Sequence, residues 1–318
     1  MSLSGYNGRM ILSMKENHRK RLYVANAMLD GRMTISEGAL ALDLSERQVK
    51  RIKAGVKKYG DAFVIHKNTN RKPSHAITDD ITSKIIALKN NKYPEANFLH
   101  FTELLERLES IKISYPSVYR ILTKEGIKSP KKHRKRKIHH RRKRKAQKGM
   151  LVQIDASPHT WIIGGERMTL HGAIDDATGE VLALFFTKNE CLEGYFELMR
   201  QVITCHGAPL NIYCDRHTIF VSPNDGKITI EQELDGKIVN LTQFGRAMDE
   251  LGINIIKAKS AQAKGRIERL WNTLQSRLPV EFKAYGIDSM DAANSFLSKF
   301  MDLYNSKFSV LPENPVSV

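Results

Sequence analysis

The chain has 318 residues, 41% of them hydrophobic, with 51 Lys/Arg against 34 Asp/Glu and a formal net charge of +17. That length and apolar content supply two or three domains with real cores, which excludes a wholly disordered chain. Three cysteines without a CxxC pair exclude a disulfide framework and a cysteine zinc site, and no apolar run approaches the ~20 residues needed to span a bilayer.

The charge is unevenly placed. Residues 1–128 carry 23 Lys/Arg against 13 Asp/Glu, residues 129–150 carry 12 against none, and residues 151–318 carry 16 against 21. Net charge speaks to partners rather than to fold. A basic front half on an acidic back half suggests a polyanion-binding arm joined to a module with another task. If that module works on DNA, it needs bound cations or local basic loops.

Residues 1–66 read as an all-α domain. A helix runs from about Arg19 to Leu29, and Thr34 or Ser36 caps a second one, with Glu37 suiting its positive end. Ser45 caps a third that begins Glu46-Arg47-Gln48-Val49-Lys50-Arg51. Two short helices joined by a tight turn, the second rich in Arg, Gln and Lys, fit a helix-turn-helix DNA reader. Arg47, Gln48, Lys50 and Arg51 are the expected DNA contacts, over a core of Ala39, Leu42, Leu44, Val49 and Ile52. The plainer alternative is a three-helix bundle with a solvated basic face.

Residues 67–77 form a polar linker in which Arg71 and Lys72 could enter a minor groove. Residues 78–128 read as a second helix-turn-helix domain, with Pro116 in the first turn of its last helix. Tyr115, Ser117, Tyr119 and Arg120 are its candidate contacts. Residues 129–150 are a basic linker whose like charges repel, so it should order only on a polyanion. Arg134, Lys135, Arg136, Arg141, Arg142 and Arg144 are expected to follow the phosphate backbone. A nuclear-localisation signal and a merely solvated linker are the competing readings.

From residue 151 the periodicity changes to short strands. Leu151 to Asp155, Met168 to Ile174 and Val181 to Thr187 read as three, with a turn at residues 175–179. A helix over 191–206, a strand ending at Asp215, a helix over 241–251 and a strand over 254–258 follow. Another helix opens near Glu268, with Ile267, Leu270, Trp271, Leu274 and Leu278 as its apolar stripe. This order predicts an α/β core on a mixed five-stranded sheet over 151–308. Asp155 and Asp215 sit at strand ends, and Glu268 lies at the edge of the helix face packed on the sheet. Asp175 and Asp176 read as turn residues. Residues 218–240, with their Asn224-Asp225-Gly226 and Asp235-Gly236 turns, suggest an inserted hairpin.

These residues resemble the ribonuclease-H-like catalytic core of the DDE transposases and retroviral-type integrases. The likeness rests on IDAS at the first acid, YCDRH at the second and QAKGRIE at the third. A closer resemblance is to insertion-sequence transposases of the ISNCY type. The phrases QIDASPHTW (153–161), IDDATGEV (174–181), CDRHTIF (214–220), LTQFGRAMDELGI (241–253) and AKGRIERLWNTLQSRL (263–278) carry it, across essentially the whole chain. The resemblance implies a DNA strand-transfer enzyme whose catalytic and metal-binding residues are Asp155, Asp215 and Glu268, with Gln262, Lys264 and Arg266 touching transposon-end DNA.

It further implies two Mg²⁺ per site, with Mn²⁺ able to substitute, Asp155 bridging both ions and Asp215 and Glu268 holding one each. The partners would be double-stranded DNA at element ends and target, with a homodimer or larger assembly on DNA. No membrane and no small-molecule cofactor are expected, and the location would be the bacterial cytoplasm, at the nucleoid. Three departures stand out. Asp215 and Glu268 are unusually far apart, Ala261 stands where relatives often have proline, and residues 309–318 would begin a C-terminal region that relatives continue. A DNA-binding regulator without chemistry and a purely hydrolytic nuclease remain the alternatives.

Overall fold

The computed structural model describes residues 15–65, 73, 76–130, 143–222, 240–258 and 264–318. The chain forms two compact units, residues 1–78 and 79–318. Arg71, Lys72, Arg134, Lys135, Arg136, Arg141, Arg142, Ala261, Gln262 and the turns expected around 224–226 and 235–236 lie outside the described residues.

The first unit contains α1 (Glu16–Leu29), α2 (Ile35–Leu42) and α3 (Glu46–Tyr59). Thr34, not Ser36, caps α2: its hydroxyl accepts from the Glu37 amide while the Glu37 carboxylate accepts from the Thr34 amide. Asp43 adopts a left-handed conformation (φ 51°) that closes α2, and the Leu44 amide turns back to the Ala39 carbonyl. Ser45 and Gln48 cap α3 reciprocally in the same way. Each such cap contributes about 1 kcal/mol. Val49 is fully buried against Val24 and Met28, with Ala39, Leu42 and Leu44 half-buried around them.

The second unit opens with α4 (Asp79–Asn91), α5 (Phe98–Leu108) and α6 (Tyr115–Lys124). Their core is built on Ile85, Phe101, Leu104, Leu105, Val118 and Leu122. The chain between α4 and α5 is pinned from inside: the buried Lys89 ammonium donates to the carbonyls of Tyr93, Pro94 and Ala96 at 2.7–2.8 Å. Burial pulls that ammonium down to about 8.

The sheet comprises β1 (Val152–His159), β2 (Met168–Asp175), β3 (Val181–Thr187), β4 (Asn211–Cys214) and β5 (Asn254–Lys257), in the order β3-β2-β1-β4-β5. The first three are antiparallel neighbours, whereas β4 and β5 run parallel to β1 and to each other, so the sheet is mixed as expected. β1 does not stop at Asp155 but continues to His159. Its last residues are paired with β2 alone, beyond the end of β4, where Pro158 is tolerated.

Helices cover both faces. On one side α7 (Leu192–His206) and α8 (Gln243–Glu250) bury Leu198, Val202, Phe244 and Met248 against Val152 and Ile154. On the other, α9 (Gly265–Tyr285) and α10 (Met290–Phe308) bury Leu270, Leu274, Phe296 and Phe300 against Leu170 and Phe186. Val280 of α9 also enters the core of α4–α6, so those helices belong to the same body as the sheet. The outer edge of β3 is closed by α10, whose Asn305 amide bonds both N–H and C=O of Val181. Asn294 does the same at Phe186. These bonds occupy the edge at two positions of β3, which hinders pairing with another strand.

His171 on β2 is completely buried beside Gly194 and Tyr195, and burial lowers its imidazole to about 4. Between about pH 6.5 and 4 the unfolded chain binds a proton there that the folded chain does not, so stability falls as pH falls through that window. The expected loss is about 3 kcal/mol, at 1.36 kcal/mol per unit. Thermal melts at pH 7.5 and 5 should show a larger drop for the wild type than for His171→Gln.

Candidate active site

Parallel pairing sets the first two acids side by side. Val152 lies against Ile212 and Gln153 against Tyr213, so two further steps of register bring Asp155 opposite Asp215, one residue past the end of β4. Side chains alternate along a strand, which puts Gln153, Asp155 and Ser157 on one face of β1. All three touch α9 or the residue that opens it. The Gln153 amide oxygen accepts from the Ile267 backbone at 3.3 Å, the Trp271 indole donates to Asp155 Oδ2 at 2.9 Å, and Gln275 donates to Ser157 Oγ at 3.0 Å.

The Lys264 ammonium lies between the two aspartates, 2.8 Å from Asp155 Oδ1 and 3.5 Å from Asp215 Oδ2. Burial opposes its charge, but Asp155 and then Asp215 outweigh burial and hold it above its ordinary value. Asp215 keeps 47% of its side chain exposed, so this pair of carboxylates faces solvent on one side. The Asp215 carboxylate also accepts from the His217 amide at 3.0 Å.

Glu268 occupies the first turn of α9 and is exposed. Lys264 and Trp271 stand four residues before it and three after it, the spacing of one helical face. Both of them reach Asp155, so Glu268 lies on the face of α9 turned toward the aspartates. Its carboxylate nevertheless stands apart. Among the described residues no group of three His, Cys, Asp or Glu side chains is close enough to hold a metal ion. Asp155 and Asp215 fit a hard divalent cation as oxygen donors already sharing one positive charge. Glu268 fits by position on the helix but not by its present side-chain placement.

Three basic residues expected on DNA bond within the protein instead. Lys264 is 7% exposed, because two adjacent carboxylates draw its ammonium between them. Arg266 donates to the fully buried Asp176 at 2.7 Å. Arg144 gives a hydrogen bond to the Ala177 carbonyl. Asp175 and Asp176 do belong to the turn, where Asp175 Oδ2 accepts from the Thr178 amide and hydroxyl, but both are also 0% exposed. Arg47, Gln48, Lys50 and Arg51 are exposed on α3, although Gln48 is engaged in its cap and Lys50 pairs with Glu46 at 3.5 Å. On α6, Tyr119 and Arg120 are exposed, with Tyr119 edge-on to Phe98. Cys214, beside Asp215, is buried, and its thiol is pushed up to about 12 by burial and then by Asp215, so it is no nucleophile. Trp271 was legible only as a core residue; the residues Lys264, Glu268, Trp271 and Gln275 at 4-3-4 spacing were the signal that it lines the site.

No protein-family model matches the chain. The transposase of insertion sequence IS1202 from Streptococcus pneumoniae is 37% identical over 326 aligned positions, covering 92% of this chain and 68% of that protein. The chain belongs to the insertion-sequence transposases. A second transposase relative, y4bF of Sinorhizobium fredii, is 36% identical, covering 95% of this chain and 64% of its own length. The chain thus spans about two thirds of each relative. The catalytic core domain of BIV integrase aligns with 52% of this chain and 91% of its own at 16% identity, with a TM-score of 0.35. Family membership rests on the 37% identity to the IS1202 transposase.

One glycine gives this transposase its indole contact. Gly172 pairs with Asp155 across β1 and β2, and a methyl group placed on it would lie 2.6 Å from the Trp271 ring. Gly172→Ala should therefore cost about 1–3 kcal/mol by overpacking and displace the indole from Asp155. A lower melting temperature together with altered tryptophan fluorescence would confirm this; unchanged values would show that the ring yields freely.

Proposed function

We propose that this chain recognises the terminal inverted repeats of its own mobile element and performs metal-dependent DNA cleavage and strand transfer, with Asp155, Asp215 and Glu268 as the catalytic carboxylates. The observation that carries this reading is the Lys264 ammonium shared by Asp155, in the middle of β1, and Asp215, just past the end of β4, which marks that spot as a place built for positive charge. Mg²⁺, or Mn²⁺ in its stead, would be held by Asp155 and Asp215, with Glu268 joining from α9; two ions are expected. A bound divalent cation supplies Lewis acidity at the phosphodiester and a stronger oxygen nucleophile.

The chain's own residues do the rest. Asp155 is held in place by the Trp271 indole, and Asp215 by the His217 amide, so the two donors meet substrate in fixed orientation. Lys264 must leave the aspartates when they bind another cation, and its ammonium is then available to a substrate phosphate oxygen. In this reading the sheet with its flanking helices is a ribonuclease-H-like core. α2–α3 and α5–α6 are helix-turn-helix units, Arg47, Arg51, Tyr119 and Arg120 contact DNA, and two or more copies assemble on paired ends.

The test is an assay with labelled element-end DNA and a target plasmid. Metal-dependent nicking followed by joined product supports transposition. Binding without nicking would leave a DNA-binding regulator, and nicking without joining a hydrolytic nuclease.

A further inference from the structure

Near the aspartates lies a buried acid that the proposed chemistry does not use. Asp176 is 0% exposed. Its Oδ1 accepts from Arg266 Nε at 2.7 Å and from Gln153 Nε2 at 3.0 Å, and its Oδ2 accepts from the Lys145 amide at 3.0 Å. Gln153 turns its other amide atom to the Ile267 backbone in the first turn of α9. These partners are adjacent to the site in sequence. Gln153 precedes Asp155 by two residues on the same face of β1, and Arg266 lies between Lys264 and Glu268. Lys145 belongs to the basic stretch of residues 129–150.

We propose that Asp176 is a positioning residue that clamps the start of α9 to β1 through Arg266 and Gln153, and so sets where Glu268 and Lys264 stand relative to Asp155. A buried carboxylate is costly unless its lone pairs are used, and here Arg266, Gln153 and the Lys145 amide all donate to it. The first turn of a helix has free N–H groups and frays easily, yet this one carries two residues of the site. An anchor on both a side chain and a backbone amide of that turn removes the fraying. Arg266 then serves geometry rather than DNA contact. The inference rests on the proposed role of Glu268 for its catalytic consequence, but the clamp itself does not.

The experiment compares Asp176→Asn and Arg266→Gln with the wild type as full chains. Amide hydrogen exchange over 265–271 should rise in both variants. Nicking of end DNA should fall 10- to 100-fold while the dissociation constant for that DNA holds within twofold, and half-saturating Mg²⁺ should rise. The double variant should lose no more than the worse single one, as expected for coupled partners. The contrary result is weaker DNA binding in Arg266→Gln with a shallower salt dependence and unchanged exchange in both variants, which would make Arg266 a phosphate contact and overturn the clamp. If the wild type nicks nothing, the proposed chemistry fails, and the exchange measurement alone still decides the clamp.

Discussion

Asp155→Asn should leave a folded protein that binds end DNA and neither cuts nor joins it. The substitution keeps the shape and a partner for the Trp271 indole, but removes the charge that Asp155 shares with Asp215 around Lys264. Without that charge the pair no longer attracts a divalent cation as a bidentate anionic site. The several kcal/mol of transition-state stabilisation such a cation gives corresponds to a loss of about 10³-fold or more in nicking rate. Asp215→Asn should match it, and Glu268→Gln should be comparable. Gel assays of nicked and joined products, with filter binding of the same DNA as a control, measure both quantities. A variant that keeps a tenth of the wild-type rate would exclude Asp155 from the chemistry.

The second large effect is on stability and lies at the other end of α9. Glu281 is 2% exposed and accepts from His100 Nε2 at 2.8 Å and from Arg107. Burial alone would raise the Glu281 carboxyl, but the bonds from His100 and Arg107 prevail and hold it below its ordinary range. Burial likewise lowers His100, which is therefore neutral and donates through Nε2. Beside this group Arg277 makes two bonds to Glu103, at 2.6 and 2.9 Å.

Glu281→Gln leaves the Arg107 guanidinium half-buried without its counter-charge and turns an N–H₂ toward donors. Removing one partner of a buried pair costs about 3–5 kcal/mol, and the lower end applies because Arg107 retains contact with water. For a unit of this size about 3 kcal/mol is a fall of roughly 6–12 °C in melting temperature. Since Glu281 is depressed in the folded state, its contribution is complete above the unfolded carboxyl range and is lost as pH falls through the folded value. The melting difference between wild type and variant should thus be full at pH 7 and shrink below about pH 4. A difference that persisted undiminished at pH 3 would mean that the introduced amide disturbs packing instead.

Much of this was readable in advance, and the exceptions have physical causes. Asp155 and Asp215 stood out because each closes a β-like apolar run, and the parallel register then joins them. The true length of β1 did not, because Ser157-Pro158 has turn chemistry and only pairing on one side permits proline in a strand there. α4–α6 read as a separable unit because Glu103, Arg107, Arg277 and Glu281 look like solvated charges in sequence. Their pairing spans 174 residues of separation, which no local pattern carries. Lys264 and Arg266 looked like free basic residues for the same reason: what turns them inward is Asp155 and Asp176, 109 and 90 residues away. α10 is absent from the sequence reading, although Ser289 and the run Phe296, Phe300, Tyr304 at helical spacing announce it.

Glu268 lies on the face of α9 turned toward the aspartates without reaching them. Calorimetric titration of Mn²⁺ into the wild type, Asp155→Asn and Glu268→Gln tests its role without depending on turnover. The account predicts that Asp155→Asn abolishes binding and that Glu268→Gln weakens it at least about tenfold, roughly the 1.4 kcal/mol of a lost ligand interaction. Wild-type affinity in Glu268→Gln would contradict the three-carboxylate site and reduce it to the aspartate pair.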